Sequence, residues 1–156
     1  MAINYIYNYL NDDDLLNISS EIKNQEKLTS AEIVLSIKKS KPFLDKFLSR
    51  SLRIEESAKK EFYRLGMNRT KDNTGILIFV LFEERQFYVL ADKAINEVFT
   101  QDTWVSVTET IRSNFGKGEF ANGLIKAVAL IGDTLKTHFP IKPDDVNEIS
   151  NKIIIT

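Results

Sequence analysis

The sequence predicts an α/β protein, a three-layer α/β/α sandwich in which helices flank a small mixed sheet. Residues 76–82 form an unbroken apolar run that is too short for a separate helix and is typical of a strand covered on both faces. Apolar stripes at helical spacing mark residues 12–26 and 119–137 as helices with one buried face. Enough chain separates a first strand, 31–37, from 76–82 for a crossover, so we predict that these two strands are parallel.

Residues 3–10 give no assignable pattern, and the first predicted helix begins after them. Asn11 or Asp12 can cap this helix, and the acidic triplet 12–14 suits the positive end of its dipole. The triplet could also be interpreted as a cation site, but the capped helix is favoured. After the first strand, residues 38–41 are favoured as a solvated basic loop, and 43–48 as a short helical segment.

The middle of the chain predicts a helix followed by a β-hairpin. An apolar stripe from Ile54 to Leu65 forms the helix, and Gly66 ends it where a left-handed residue is needed. The charged residues 83–85 separate the 76–82 run from a second apolar run at 87–91. We expect an antiparallel hairpin whose first strand is central in the sheet.

The last third of the chain is predicted to be mostly helical. Residues 102–115 and 119–137 form two helices, the second being the main helix packed on the sheet. His138 is interpreted as a partner for the C-terminal end of that helix's dipole rather than as a catalytic group. Residues 152–155 are expected to form either an edge strand or an extended tail.

Polar residues from separate parts of the chain are expected to meet at one rim of the sheet. Parallel pairing and the hairpin bring the start of the first strand, with Glu32, to the same end as Asp72, Asn73 and Asp92. Asp102 lies at or beside the start of the following helix. Oxygen atoms of this kind suit Ca2+ or Mg2+, but ordinary turn and cap chemistry also explains the same residues. From the residues alone, the turn and cap interpretation is favoured over the cation site.

Composition narrows the classes of function. The 156 residues are 43% hydrophobic and carry a net charge of −1, so we expect one domain over 1–156, with a core at 12–139 and a C-terminal extension at 140–156. The missing basic excess argues against nucleic acid as a partner. No cysteine and a single histidine exclude thiolate catalysis and a two-histidine metal site within the chain. No apolar run approaches the roughly 18–20 residues of a membrane span, and no signal peptide is visible, so we expect a soluble cytoplasmic protein.

Several short strings, in this order and spacing, resemble the TPM domain family, which is named for a thylakoid lumen protein, a photosystem II repair factor and an acetylcholine-receptor modulator. The resemblance covers roughly residues 12–139. The strings are Leu28-Thr29-Ser30-Ala31-Glu32-Ile33-Val34, Asn73-Thr74-Gly75-Ile76-Leu77-Ile78-Phe79, Glu83-Glu84-Arg85-Gln86-Phe87-Tyr88-Val89, Ala91-Asp92-Lys93-Ala94-Ile95-Asn96 and Phe115-Gly116-Lys117-Gly118-Glu119-Phe120.

The resemblance implies an α/β/α sandwich with a divalent-cation site, calcium in some members, at one end of the sheet. Asp92 and Asp102 match acidic positions after the third strand of the family. Many relatives have glycines at 92–95, a signal peptide and a membrane span or glycine-rich tail; these departures point to a cytoplasmic branch.

Combined with the residues, the resemblance predicts Ca2+ or Mg2+ bound by metal ligands at the sheet rim. The ligands are Asp72, Asn73, Asp92, Asp102 and, as a weaker candidate, Glu32. Two alternatives remain for the function of this rim. One is a metal-dependent acid phosphatase, since some plant members are described as acid phosphatases. The other is an interaction module for an unidentified protein partner.

Overall fold

The computed structural model describes residues 2–40, 50–145, 149 and 152–156 and contains an open four-stranded mixed sheet. The spatial order of its strands is β3-β2-β1-β4; β1 is parallel to β2 and β4, and β3 is antiparallel to β2. The predicted parallel pair and hairpin are therefore confirmed. The strands are β1 (Glu32–Lys38), β2 (Gly75–Leu81), β3 (Gln86–Ala91) and β4 (Ile153–Ile155).

Helices cover both faces of the sheet, which confirms the predicted α/β/α sandwich. One face packs on α2, and the other packs on a layer in which α5 lies against both α1 and α4. Every residue of β2 is buried, as expected for a central strand covered on both faces. The helices are α1 (Asp12–Glu26), α2 (Arg50–Arg64), α3 (Lys93–Val98), α4 (Gln101–Gly116) and α5 (Phe120–His138).

The start of α1 follows the predicted cap chemistry. The Asn11 side chain accepts a hydrogen bond from the Asp14 amide at 2.7 Å, and the Asp14 carboxylate accepts one from the Asn11 amide at 3.0 Å. This reciprocal capping box satisfies two amides that the helix itself leaves unpaired. Before it, Ala2–Asn8 forms a 3₁₀ helix that buries Tyr5 and Ile6 in the core, in a segment where the sequence shows no assignable pattern.

The turns are built largely as predicted. Gly66 has a φ of 73° after α2, in the left-handed region that favours glycine. The hairpin turn is a 3₁₀ helix over Phe82–Glu84, so Phe82 belongs to the turn rather than to the strand. The short helical segment predicted at 43–48 lies outside the described residues.

The predicted C-terminal extension supplies the edge strand β4. The Lys152 carbonyl accepts a hydrogen bond from the Leu35 amide at 2.8 Å, and the Ile37 carbonyl accepts one from the Thr156 amide at 2.9 Å. Of the two expectations for this segment, the edge strand is the one the structure contains.

Candidate functional site

The polar rim lies where the sequence predicts it. The strand register pairs Glu32 with Gly75 and Ile76 with Ala91, so β1 and β2 begin where β3 ends. The residues just before β2 and just after β3 are therefore neighbours.

Asp92 is the most constrained acidic residue of this rim. Its Oδ1 accepts a hydrogen bond from the Lys93 amide at 2.8 Å and thereby caps α3. Its Oδ2 is buried and accepts no hydrogen bond from the residues that the structure describes. An unpartnered carboxylate oxygen shielded from water is energetically costly and needs an explanation.

Asn73 is held against the Asp92 turn by the backbone. Its carbonyl accepts a hydrogen bond from the Ala94 amide at 3.2 Å, and the Asp92 amide donates to the Gly75 carbonyl at 2.8 Å. Asn73 has a φ of 59°, a left-handed conformation that asparagine tolerates better than most residues. The structure thus brings Asn73 and Asp92 together, as the sequence predicts.

Asp72 lies in the same loop but is exposed. Its carboxylate forms an ion pair with Lys142, with Nζ and Oδ2 3.2 Å apart. Both side chains are about half accessible to solvent (41% and 55%), so this pair contributes little to stability and can be exchanged easily.

Asp102 lies in the first turn of α4, exposed, and forms no hydrogen bond or ion pair with the described part of the chain. The cap of that helix is Thr100, whose hydroxyl accepts a hydrogen bond from the Thr103 amide at 3.1 Å. Asp102 therefore complements the helix dipole without capping the helix.

Glu32 is buried rather than solvent-facing. Its carboxylate pairs with the ammonium of Lys152, which also lies 2.9 Å from the Glu26 carboxylate. Glu26 also accepts a hydrogen bond from the Ile33 amide at 2.9 Å. Burial raises the pKa of the Glu26 carboxyl to about 7, although the hydrogen bonds from Ile33 and Lys152 act to lower it. A cation at Glu32 would have to compete with Lys152.

Backbone hydrogen bonds join the loop of Asp72 and Asn73 to the turn of Asp92. Within 2–40, 50–145, 149 and 152–156, no three acidic or histidine side chains form a group that could hold a metal ion. A cation at this rim would depend on Asp92, nearby amide oxygens and water, rather than on a cage of carboxylates.

Sequence reasoning missed the buried group formed by Glu26, Glu32 and Lys152. In the sequence, Glu26 has the pattern of an ordinary residue in the last turn of a helix. Lys152 is simply a charged residue that precedes an apolar run. Only the pairing of β4 with β1, a contact between distant parts of the chain, brings them together.

A third buried carboxylate, Glu61 of α2, lies on the face of the sheet that α2 covers. It accepts hydrogen bonds from Ser36 at 2.5 Å and from Arg64 at 2.7 Å, and Lys38 lies 3.6 Å away. Burial alone would raise the pKa of Glu61, but these bonds and the Lys38 charge together lower it below its usual value. Glu61 is therefore a satisfied structural carboxylate that fixes α2 on β1.

The fold is an α/β/α sandwich with a polar rim, and comparison with known protein families identifies the family. A family model described as the TPM domain matches residues 5–134, so the chain belongs to the TPM domain family. No curated protein matches the chain.

Two solved structures share the fold. The BA42 protein of the psychrophilic bacterium Bizionia argentinensis is 30% identical, with a TM-score of 0.82 over 95% of this chain and 96% of that one. The N-terminal domain of the cg2496 protein of Corynebacterium glutamicum has a TM-score of 0.55 at 12% identity, over 81% of this chain and 74% of that one. The second likeness concerns the fold alone. In the described part of this chain, no helix has the length and apolar character needed to cross a membrane.

Proposed function

We propose that this TPM domain binds a divalent cation, Ca2+ or Mg2+, at the rim formed by residues 72–75 and 92–96. The observation that carries the proposal is the buried, unpartnered Oδ2 of Asp92 beside the loop of Asn73. A hydrated cation would supply the positive partner that this oxygen lacks. Family membership supports the same chemistry.

Asp92 and Asn73 would be the main protein ligands, and Asp72 could join them after releasing Lys142. The Asn73 backbone carbonyl already accepts a hydrogen bond from Ala94, so the side-chain amide oxygen is the available donor atom. Ca2+ and Mg2+ both accept such oxygens and fill their remaining positions with water. With so few charged ligands, we expect weak binding, with a dissociation constant of about 10⁻⁴–10⁻³ M. Asp102 and Glu32 stay predicted ligands.

A backbone-amide NMR titration of metal-stripped protein with Ca2+ and then Mg2+ tests the proposal. Shifts should concentrate at residues 73–75 and 93–96, and Asp92→Asn should weaken binding at least about tenfold, a difference of 1.4 kcal/mol. Asparagine caps helices as well as aspartate does, so this variant should stay folded. Asp133→Asn, an exposed site on α5, is the matched control and should leave binding unchanged.

Two results would contradict the proposal: no shifts at millimolar cation, or equal affinity in the Asp92→Asn protein. Phosphate-ester hydrolysis at this rim stays a prediction. A phosphatase at this rim would turn over a phosphate ester only when cation is added, and the Asp92→Asn protein would lose this activity. The cytoplasmic location expected from the sequence also stays a prediction.

A further inference from the structure

Strand β3 forms one edge of the sheet and presents free backbone groups there. The Asp92 amide donates to the Gly75 carbonyl, which makes residues 75 and 92 a hydrogen-bonded pair. Such pairs alternate along an antiparallel ladder, so Phe87, Val89 and Ala91 direct their amide and carbonyl groups away from β2. An edge of this kind is a template for another strand.

At the C-terminal end of β3, one of the outward backbone groups already has a hydrogen-bond partner. The Asn96 side chain donates a hydrogen bond to the Ala91 carbonyl at 2.8 Å. The outward groups of Phe87 and Val89, in contrast, make no hydrogen bond to any residue that the structure describes. A short segment could therefore pair with the N-terminal half of β3.

A groove accompanies this free edge. A cavity of about 940 Å³ is lined by β3 and by Trp104, Thr108 and Arg112 of α4. These three residues are four apart and so lie along one face of the helix. Phe87 and Val89 are only half-buried, which leaves apolar surface beside the free backbone groups. Extended peptides bind as an added strand in this kind of setting.

Two arginines, Arg85 and Arg112, lie at one end of the groove. Arg85, which leads into β3, is exposed and has no ion-pair partner in the described part of the chain. Within the described part of the chain, Arg112 forms an ion pair with Glu109 alone, on the surface, where both side chains are largely exposed (62% and 59%). Such a surface pair is weak and can be exchanged. Among the described residues lining the cavity there are two arginines and no aspartate or glutamate.

We propose that the groove between β3 and α4 binds the C-terminal residues of a partner protein as an additional antiparallel strand. An antiparallel strand would end beside the N-terminal end of β3, where Arg85 and Arg112 would hold its free carboxylate. Guanidinium groups pair with carboxylates through strong charge-assisted hydrogen bonds. Phe87 and Val89 supply the backbone pairing. This activity is separate from cation binding and uses different residues.

The test begins with a library of random C-terminal peptides displayed against the full chain. The enriched sequence is then synthesised with a free carboxylate and with a C-terminal amide, and both affinities are measured by fluorescence polarisation. The amide and the double variant Arg85→Gln/Arg112→Gln should each reduce affinity at least about tenfold. Lys126→Gln, an exposed charge change elsewhere on α5, should have no effect.

A proline variant tests the backbone pairing independently. Val89→Pro removes an amide that points outward without breaking a bond to β2, and edge strands tolerate proline there. It should abolish binding while circular dichroism stays unchanged, and in the wild-type protein the amides of Phe87 and Val89 should shift on peptide addition. If Val89→Pro instead perturbs the fold, the amide peptide and the arginine variant still decide the outcome.

Several outcomes would overturn the proposal. They are failure to enrich any C-terminal sequence, equal binding of the amidated peptide, and unchanged affinity in the arginine variant. Sedimentation showing that this edge pairs with a second copy of the chain would also overturn it.

Discussion

Replacing Glu26 by glutamine should change how the stability of the protein depends on pH. Glu26 is buried with Glu32 and shares Lys152 with it, so two carboxylates face one ammonium group. Burial raises the Glu26 pKa to about 7, from an ordinary value of 4.5. The folded protein therefore binds this proton more tightly than the unfolded chain does.

The sign and size of the effect follow from that difference. The stabilising effect of the proton is complete below pH 4.5 and is lost as the pH rises through about 7. Two and a half pH units correspond to about 3 kcal/mol in the free energy of unfolding. Glutamine cannot ionise, yet its amide oxygen can still accept the hydrogen bonds from Ile33 and Lys152. Relative to the wild type, Glu26→Gln should therefore become more stable by about 3 kcal/mol from pH 4.5 to about pH 8.

Urea unfolding of both proteins across this pH range measures the difference directly. Glu97→Gln, an exposed site on α3, provides a control whose difference from the wild type should stay nearly constant. A flat difference for Glu26→Gln, or one that grows in the opposite direction, would refute the reasoning. It would mean that Lys152 keeps Glu26 ionised throughout this range.

Two further substitutions test how the sheet is held together. Lys152→Met should destabilise the protein by about 3–5 kcal/mol at neutral pH, since two buried glutamates lose their cation; a loss below about 1 kcal/mol in urea unfolding would contradict this. Gly75→Ala should cost about 1–3 kcal/mol, because the added Cβ would lie 2.9 Å from the Met67 carbonyl oxygen. A lower melting temperature is expected, with Gly116→Ala as a control where the new Cβ would meet nothing within 4 Å.

The sheet could be predicted from the sequence because its central strands are constrained strongly. A seven-residue apolar run ending at charges has few alternatives to a strand buried on both faces, and β2 is such a strand. The crossover length and the hairpin then fix which ends meet. For this reason the sequence predicts correctly that Asn73 and Asp92 are neighbours.

The local chemistry of the rim could not be predicted in the same way. Asp92 caps α3 through Oδ1 and leaves Oδ2 buried, and a helix as short as α3 has no apolar periodicity by which the sequence could predict it. The sequence predicts Glu32 as a weaker candidate ligand, whereas in the structure its carboxylate pairs with a lysine 120 residues away. Contacts at such separation leave no trace in local patterns.

The pairing of Glu32 with Lys152 also has a consequence for synthesis. At about 5–20 residues per second, a ribosome needs roughly 6–24 s to add the 120 residues that separate them. During this interval the nascent chain contains both glutamates but not their counter-ion, and the β1 edge that β4 later occupies has no strand beside it. Because β4 is the last strand of the sheet to be synthesised, the corner of the domain around Glu26 and Glu32 is completed only after translation has passed residue 152.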